Sequence, residues 1–172
     1  ASFNQTVGSL TGTGTITSAT ASATPLITIG NLNTNTTFSG VIENGAATSL
    51  SLTKTGSGTL ILSGNSTYTG ATTISAGVIN IQHANALGNS SVTTVANGAT
   101  LQIQGDITVG ALPLTIKGLG VSSAGALRNI SGNNTWGGTI TTETPATRIN
   151  SNAGTLTLNA TNAINSPTNI AV

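Results

Sequence analysis

Hydrophobic and polar positions alternate in short bursts along this chain, and one burst keeps returning. A glycine opens it, and apolar and polar residues then take turns. It reads Gly58-Thr59-Leu60-Ile61-Leu62, Gly77-Val78-Ile79-Asn80-Ile81, Gly98-Ala99-Thr100-Leu101-Gln102-Ile103 and Gly154-Thr155-Leu156-Thr157-Leu158. The first three glycines are 19 and 21 residues apart, close to one supersecondary unit. In an extended chain such alternation sends one aliphatic pair to one face of the strand. The pairs are Leu60 with Leu62, Ile79 with Ile81, Leu101 with Ile103, and Leu156 with Leu158. No single burst can bury its face alone, whereas stacked copies can. The pattern therefore predicts an all-β solenoid, with these eight residues as its repeat core. At about 20 residues per winding the chain holds roughly eight coils, a rod of about 40 Å at ~4.8 Å per coil.

Other short strands fill the intervals. They include Leu26–Ile29, a strand from Phe38 through Ile42, Leu50–Leu52, Thr72–Ile74, Val92–Val95, Leu114–Ile116, Leu127–Ile130 and Thr139–Thr141. Glycine and asparagine mark the corners, as at Asn44-Gly45, where positive φ is tolerated. The segment His83–Gly88 is long enough for one helical turn at a corner and no more. A β-sandwich would also show short strands. It usually carries aromatic core anchors, however, and this chain has four aromatic residues in all. No linker divides the sequence, so residues 1–172 are expected to form one solenoid unit.

Charge changes the picture by its scarcity. Glu43, Lys54, Asp106, Lys117, Arg128, Glu143 and Arg148 are the seven charged side chains, far below the quarter of residues usual for a soluble domain. The surface must therefore consist of Thr, Ser, Asn and Gly. Scattered cations exclude a nucleic-acid footprint, and no apolar run approaches the 18 or so residues of a membrane helix. The absence of cysteine removes disulfides and thiolate metal sites. The opening Ala1-Ser2-Phe3-Asn4 lacks the basic and apolar regions of an export signal, so any such signal is expected to have been removed.

Residues 52–88 resemble the autotransporter-associated β-strand repeat. Lys54-Thr55-Gly56, Gly58-Thr59-Leu60, Ser63-Gly64-Asn65, Thr67-Tyr68-Thr69-Gly70 and Ala76-Gly77 carry the likeness. The stretches 37–42 and 126–136 resemble sequences that accompany this repeat in long bacterial surface proteins. The resemblance implies a right-handed parallel β-helix, secretion by a bacterium with an outer membrane, and a structural or export-promoting role. It brings no catalytic residues. No aromatic-girdled membrane barrel closes the sequence, so a passenger fragment or a stand-alone member is expected.

Candidate chemistry is sparse. Three acids, Glu43, Asp106 and Glu143, cannot supply both a catalytic pair and a calcium site, so no enzyme, cofactor or metal is expected. His83 reads as a surface corner residue, Asp106 as a turn former, and Lys54 as a stem lying over a coil with its charge in water. Tyr68 and Trp136 are candidate glycan contacts on an otherwise Thr/Asn surface, or else rings packed over the glycines of a neighbouring coil. Seven Asn-x-Ser/Thr triplets, at Asn4, Asn35, Asn65, Asn89, Asn129, Asn133 and Asn159, point to asparagines bonding along the rod axis. The expected function is a secreted structural rod at the bacterial surface. Its expected partners are copies of itself stacked head to tail through open coil ends, or adjacent repeats of a longer chain. The alternative is an adhesin passenger binding polysaccharide or a host surface.

Overall fold

Among the described residues, alternating Thr, Val, Ile and Leu form nineteen strands of two to five residues, and glycine, asparagine or serine recurs at the corners between them. The computed structural model describes residues 4–166, so the extremities of the expected 1–172 unit, Ala1-Ser2-Phe3 among them, lie outside the described residues. Every strand pairing is parallel, and each strand pairs with the strand one winding away rather than with its neighbour in sequence. That is a parallel β-solenoid.

The longest sheet holds eight strands: Gln5–Val7, Leu26–Ile29, Ser51–Lys54, Thr72–Ile74, Thr93–Val95, Leu114–Lys117, Ile140–Glu143 and Ile164–Asn165. Eight strands on one face bound about seven windings, one fewer than the pattern predicted. A second sheet stacks Thr36–Phe38, Thr59–Leu62, Val78–Ile81, Thr100–Gln104, Leu127–Ser131 and Ile149–Ser151. The third face is discontinuous. Thr15–Ser18 pairs with Val41–Gly45 near one end, and Thr108–Val109, Asn134–Trp136 and Leu156–Leu158 pair toward the other. Between these two sheets the third face has no strand; residues 65–70 cross it as irregular chain and residues 83–90 as turns.

The windings differ in length while the register holds. Leu52 lies beside Thr72, 20 residues on, whereas Leu114 lies beside Ile140, 26 residues on. Longer windings place the excess at corners. The corner after Lys117 carries a short 3-10 turn, Val121–Ser123, yet Leu101 still meets Leu127. Inside, side chains of like kind stack in columns, as in Leu60–Ile79–Leu101–Leu127 and Phe38–Leu62–Ile81–Ile103, all buried.

Two expectations are corrected. Residues 38–42 are not one strand: Thr36–Phe38 belongs to the second sheet and Val41–Gly45 to the third face, with a corner at Ser39-Gly40. Leu156 and Leu158 are not in the column of Leu60, Ile79 and Leu101. They pair with Asn134 and Trp136 on the third face and are half-buried. The corner insertion after Lys117 lengthens its winding, so counting residues from Gly98 to Gly154 lands on a different face.

Some corners are so tight that a side chain has no room. A Cβ at Gly64 would lie 1.8 Å from the Gly40 carbonyl oxygen, and one at Gly40 would lie 1.9 Å from that of Gly14. Three windings touch backbone to backbone there. Gly64→Ala must push two windings apart, a form of overpacking that costs roughly 1–3 kcal/mol or more. Thermal unfolding of this variant should show a clearly lowered midpoint, and an unchanged midpoint would mean that the contact yields freely.

Candidate functional site

The outward column of the long sheet is made of threonine. Thr6, Thr28, Thr53, Thr73, Thr94, Thr115 and Thr141 follow one another in register, one per winding. All but Thr6 are half-buried, as hydroxyls on a flat sheet should be. The choice follows from strand chemistry, since a β-branched residue with a hydroxyl suits a pleated surface that faces water. The file presents about seven hydroxyls at the ~4.8 Å repeat of the windings. Counting from glycines did not reveal it, because threonine is common everywhere in the chain. The signal was the set of triplets Ile-Thr-Ile, Leu-Thr-Lys, Thr-Thr-Ile and Leu-Thr-Ile, each with Thr in the middle.

The candidate glycan contacts are both inside. Tyr68 and Trp136 are 0% exposed, so neither ring can offer a platform to a sugar. Tyr68 lies beneath the strandless part of the third face. Its hydroxyl is 2.7 Å from Thr72 Oγ1, and Gly88 of the next winding packs on it so closely that a Cβ there would be 3.0 Å from the ring. Trp136 stands in a column between Val109 and Leu158, and its Nε1 has no hydrogen-bond partner. The two largest side chains of the core thus fill the third face, where regular strand pairing is incomplete.

Lys54 also departs from expectation. Its stem does not cover a coil from outside; the residue is 1% exposed and occupies an interior column between Ile29 and Ile74. The ammonium reaches the corner of the winding and donates to the carbonyl oxygens of Thr55, of Gly56 at 2.9 Å and, more weakly, of Ala76 at 3.5 Å. No carboxylate pairs with it; the ion pair among the described residues joins Lys117 to Glu143 at 3.5 Å on the surface. Such an exposed pair contributes little. Burial without a counter-ion holds the Lys54 amine below its ordinary pKa of 10.5.

Side-chain amides join the windings. Asn33 Oδ1 accepts the Ser57 N–H at 2.8 Å, Asn35 Oδ1 that of Thr59 at 2.8 Å, and Asn133 Oδ1 that of Thr155 at 3.1 Å. Asp106 Oδ1 does the same for Asn133 at 2.7 Å, from a left-handed turn. Asparagines therefore bond along the axis, mostly to the backbone of the next winding rather than to one another. Asn85 donating to Asn65 at 2.9 Å is a direct amide pair. His83 accepts the Asn85 N–H on Nδ1 within its own corner. Glu43 lies on the third face, Asp106 at a corner and Glu143 on the long sheet. Among the described residues, no three His, Cys, Asp or Glu side chains gather into a set able to hold a metal.

Residues 52–81 match the family described as the passenger-associated-transport-repeat. The match falls on the shortest windings, from the strand that ends in Lys54 to the one that ends in Ile81, and so shows the autotransporter passenger resemblance for that segment. Searches of curated proteins and of solved structures found no match.

Lys54 and Tyr68 give the fold an alkaline signature of opposite signs. Between its lowered folded pKa and 10.5, Lys54 binds more protons in the unfolded chain, so stability rises with pH across that window. Burial raises Tyr68 above its ordinary value of 10.0, so above about pH 10 the unfolded chain has lost a proton that the fold keeps, and stability falls. Denaturant midpoints measured from pH 8 to 11 should therefore climb and then drop. Lys54→Met should flatten the climb and cost about 1–3 kcal/mol at neutral pH, because the corner carbonyls lose their donor. Tyr68→Phe should remove the drop. A profile unaltered by either substitution would contradict these placements.

Burial of the single Trp136 makes a separate prediction. Its fluorescence should be blue-shifted and shielded from acrylamide in the folded protein, becoming quenchable only on unfolding. Ready quenching under native conditions would place the ring outside.

Proposed function

We propose that this chain is a structural segment of an exported bacterial surface protein, a rod of stacked windings whose task is mechanical and needs no catalysis. The observation that carries this reading is the unbroken in-register long sheet running through a passenger-associated repeat. Backbone hydrogen bonds lie along the axis, the interior is mainly aliphatic, and a sparsely charged Thr/Asn exterior keeps it in water. A chain without cysteine and with few charges suits export in an unfolded state. The site of action is the outer surface, or the exterior, of a bacterium with an outer membrane.

Burial falls toward both ends of the described rod. Val7, Leu10, Ile16 and Ile27 at one end, and Ile149, Leu156 and Leu158 at the other, are only half covered. An open apolar recess of about 210 Å³ lies among Ile16, Pro25, Leu26, Ile27 and Leu50. Unpaired strand edges of this kind recruit another strand. The cover is supplied by further windings, either of the same polypeptide or of a second copy stacked head to tail.

Negative-stain microscopy of the concentrated protein tests the self-stacking version. Rods of varied length, in multiples of the roughly 34 Å spanned by seven windings, are expected. Uniform short particles at every concentration would eliminate it and leave the cover to adjoining repeats.

A second reading, an adhesin segment binding polysaccharide, has lost its aromatic platform but gains the threonine file as its surface. A rigid row of hydroxyls with one spacing suits a polymer with a repeat of its own. Pull-down with insoluble polysaccharides should then fail for Thr73→Lys and Thr94→Lys while circular dichroism stays unchanged. Equal retention of wild type and variants, or none, would retire this reading.

A further inference from the structure

The dipeptide Asn-Gly occurs twice in the chain, at Asn44-Gly45 and Asn97-Gly98, and the fold treats the two in opposite ways. Asn44 is clamped. Its Oδ1 accepts the N–H groups of Leu50 at 2.9 Å and Thr69 at 3.1 Å, while its Nδ2 donates to Thr48 O at 3.3 Å and Thr69 Oγ1 at 2.9 Å. The following Gly45 lies in a strand opposite Ser18, and a Cβ there would come within 2.1 Å of Thr17 Oγ1. Neither half of this pair can swing without breaking contacts to a neighbouring winding, that of Thr69 for Asn44 and that of Thr17 for Gly45.

Asn97-Gly98 is open. It forms the corner between Thr93–Val95 and Thr100–Gln104, closed by the Ala99 N–H donating to Ala96 O at 3.0 Å. Both residues are exposed. Gly98 sits at φ +82 with nothing within 4 Å of where a Cβ would be. Among the described residues no hydrogen bond holds the Asn97 carboxamide or the Gly98 N–H. Asparagine is the thermally labile side chain of choice for intramolecular attack, and glycine leaves both the approach and the backbone rotation unhindered.

We propose that Asn97-Gly98 is a modification site of the folded protein, where asparagine converts to aspartate and isoaspartate with age, while Asn44-Gly45 is protected by the fold. The Gly98 nitrogen gives its proton to solvent base and bonds to Asn97 Cγ. The bond from Cγ to the side-chain nitrogen breaks and ammonia leaves, taking a proton from water. The cyclic imide left behind is opened by one water molecule at either carbonyl, giving aspartate or isoaspartate. The balance is asparagine plus water to acid plus ammonia, and no other reactant is required. The new carboxylate takes the formal charge of the chain from +1 to zero.

The product bears on its neighbours. The Asn97 side chain lies over Gly118 of the next winding, where a Cβ would meet Oδ1 at 2.0 Å. Three residues after Asn97, Thr100 donates to Gly77 O at 3.0 Å through its backbone. Its hydroxyl accepts from Val121 N at 2.8 Å and donates to Gly125 O at 2.9 Å. An isoaspartyl link adds one carbon to the main chain at this corner, so the loop between Gly118 and Gly125 is the part it loosens.

The test is peptide mapping by mass spectrometry after prolonged incubation at mildly alkaline pH, run in parallel on native protein and on protein held in denaturant. In the unfolded chain the two sites should react at similar rates. In the fold, Asn97 should stay within about threefold of that rate, while Asn44 should slow by more than about tenfold, since it reacts only through local opening. Asn97→Gln should abolish the acidic species seen on ion exchange in aged native samples. Protection of Asn97 equal to that of Asn44, or loss of Asn44 in native protein as fast as Asn97, would overturn the proposal.

Discussion

Everything in this molecule answers to one requirement: each winding must lie at the spacing of a backbone hydrogen bond from the next, all the way round. Parallel ladders impose a rise of about 4.8 Å, and a residue's neighbours above and below are then fixed by register. Columns therefore favour members of one kind, although buried Thr72 and Thr93 stand between Leu52 and Leu114 in the long sheet. Aliphatic side chains stack on aliphatic, as from Leu60 through Leu127, and threonine on threonine along the outside. Where the main chain turns, the same spacing brings carbonyl oxygens against the next Cα, and the Gly14–Gly40–Gly64 contact is the consequence. Glycine stands at 40 and 64 because nothing larger fits the rise, not because the backbone needs a rare conformation.

Lys54 shows how a foreign residue is tolerated in such a column. An ammonium between Ile29 and Ile74 ought to be strongly unfavourable. Its stem, though, is an aliphatic member of the column, and its tip emerges at a corner where carbonyls of two windings, Thr55 and Gly56 on one and Ala76 on the next, would otherwise lack donors. The cation thus replaces several corner hydrogen bonds at once. The asparagine and aspartate staples act alike from outside, each offering an oxygen to a backbone N–H that the strand ladder leaves over at a corner. Corners use polar side chains as staples to the backbone of the next winding, while on the strands polar side chains pair with one another, as Asn80 does with Gln102.

The architecture was legible because alternation and a recurring glycine are properties of single windings, and single windings are contiguous in sequence. Leu60, Leu62, Ile79, Ile81, Leu101 and Ile103 lie in the shared columns of the second sheet. What failed was extrapolation across a corner of variable length: Leu156 and Leu158 landed on the third face once the winding from Leu114 to Ile140 had absorbed an insertion. Residue types misled in two places. Lysine reads as a surface charge, and Tyr68 and Trp136 read either as glycan contacts or as rings packed over neighbouring glycines; a solenoid this poor in large side chains needs both rings inside, filling the face where strands are missing. The threonine file was illegible for the opposite reason, since a residue so abundant makes no pattern until register picks out one column.

Winding length varies from 19 to 27 residues without disturbing register, and this separates two roles that a globular fold entangles. The columns are constrained by every neighbour along the rod, and a change in one is felt by the windings on both sides. A corner touches only the corners next to it, so insertions such as the Gly118–Gly125 loop add surface at little cost to the stack. The segment at 52–81 that matches the passenger-associated-transport-repeat consists of near-minimal windings with full interior columns. Individual character enters at the longer windings on either side. Any specific recognition this rod acquires belongs on those corners or on the flat threonine face, because the columns have no freedom left to provide it.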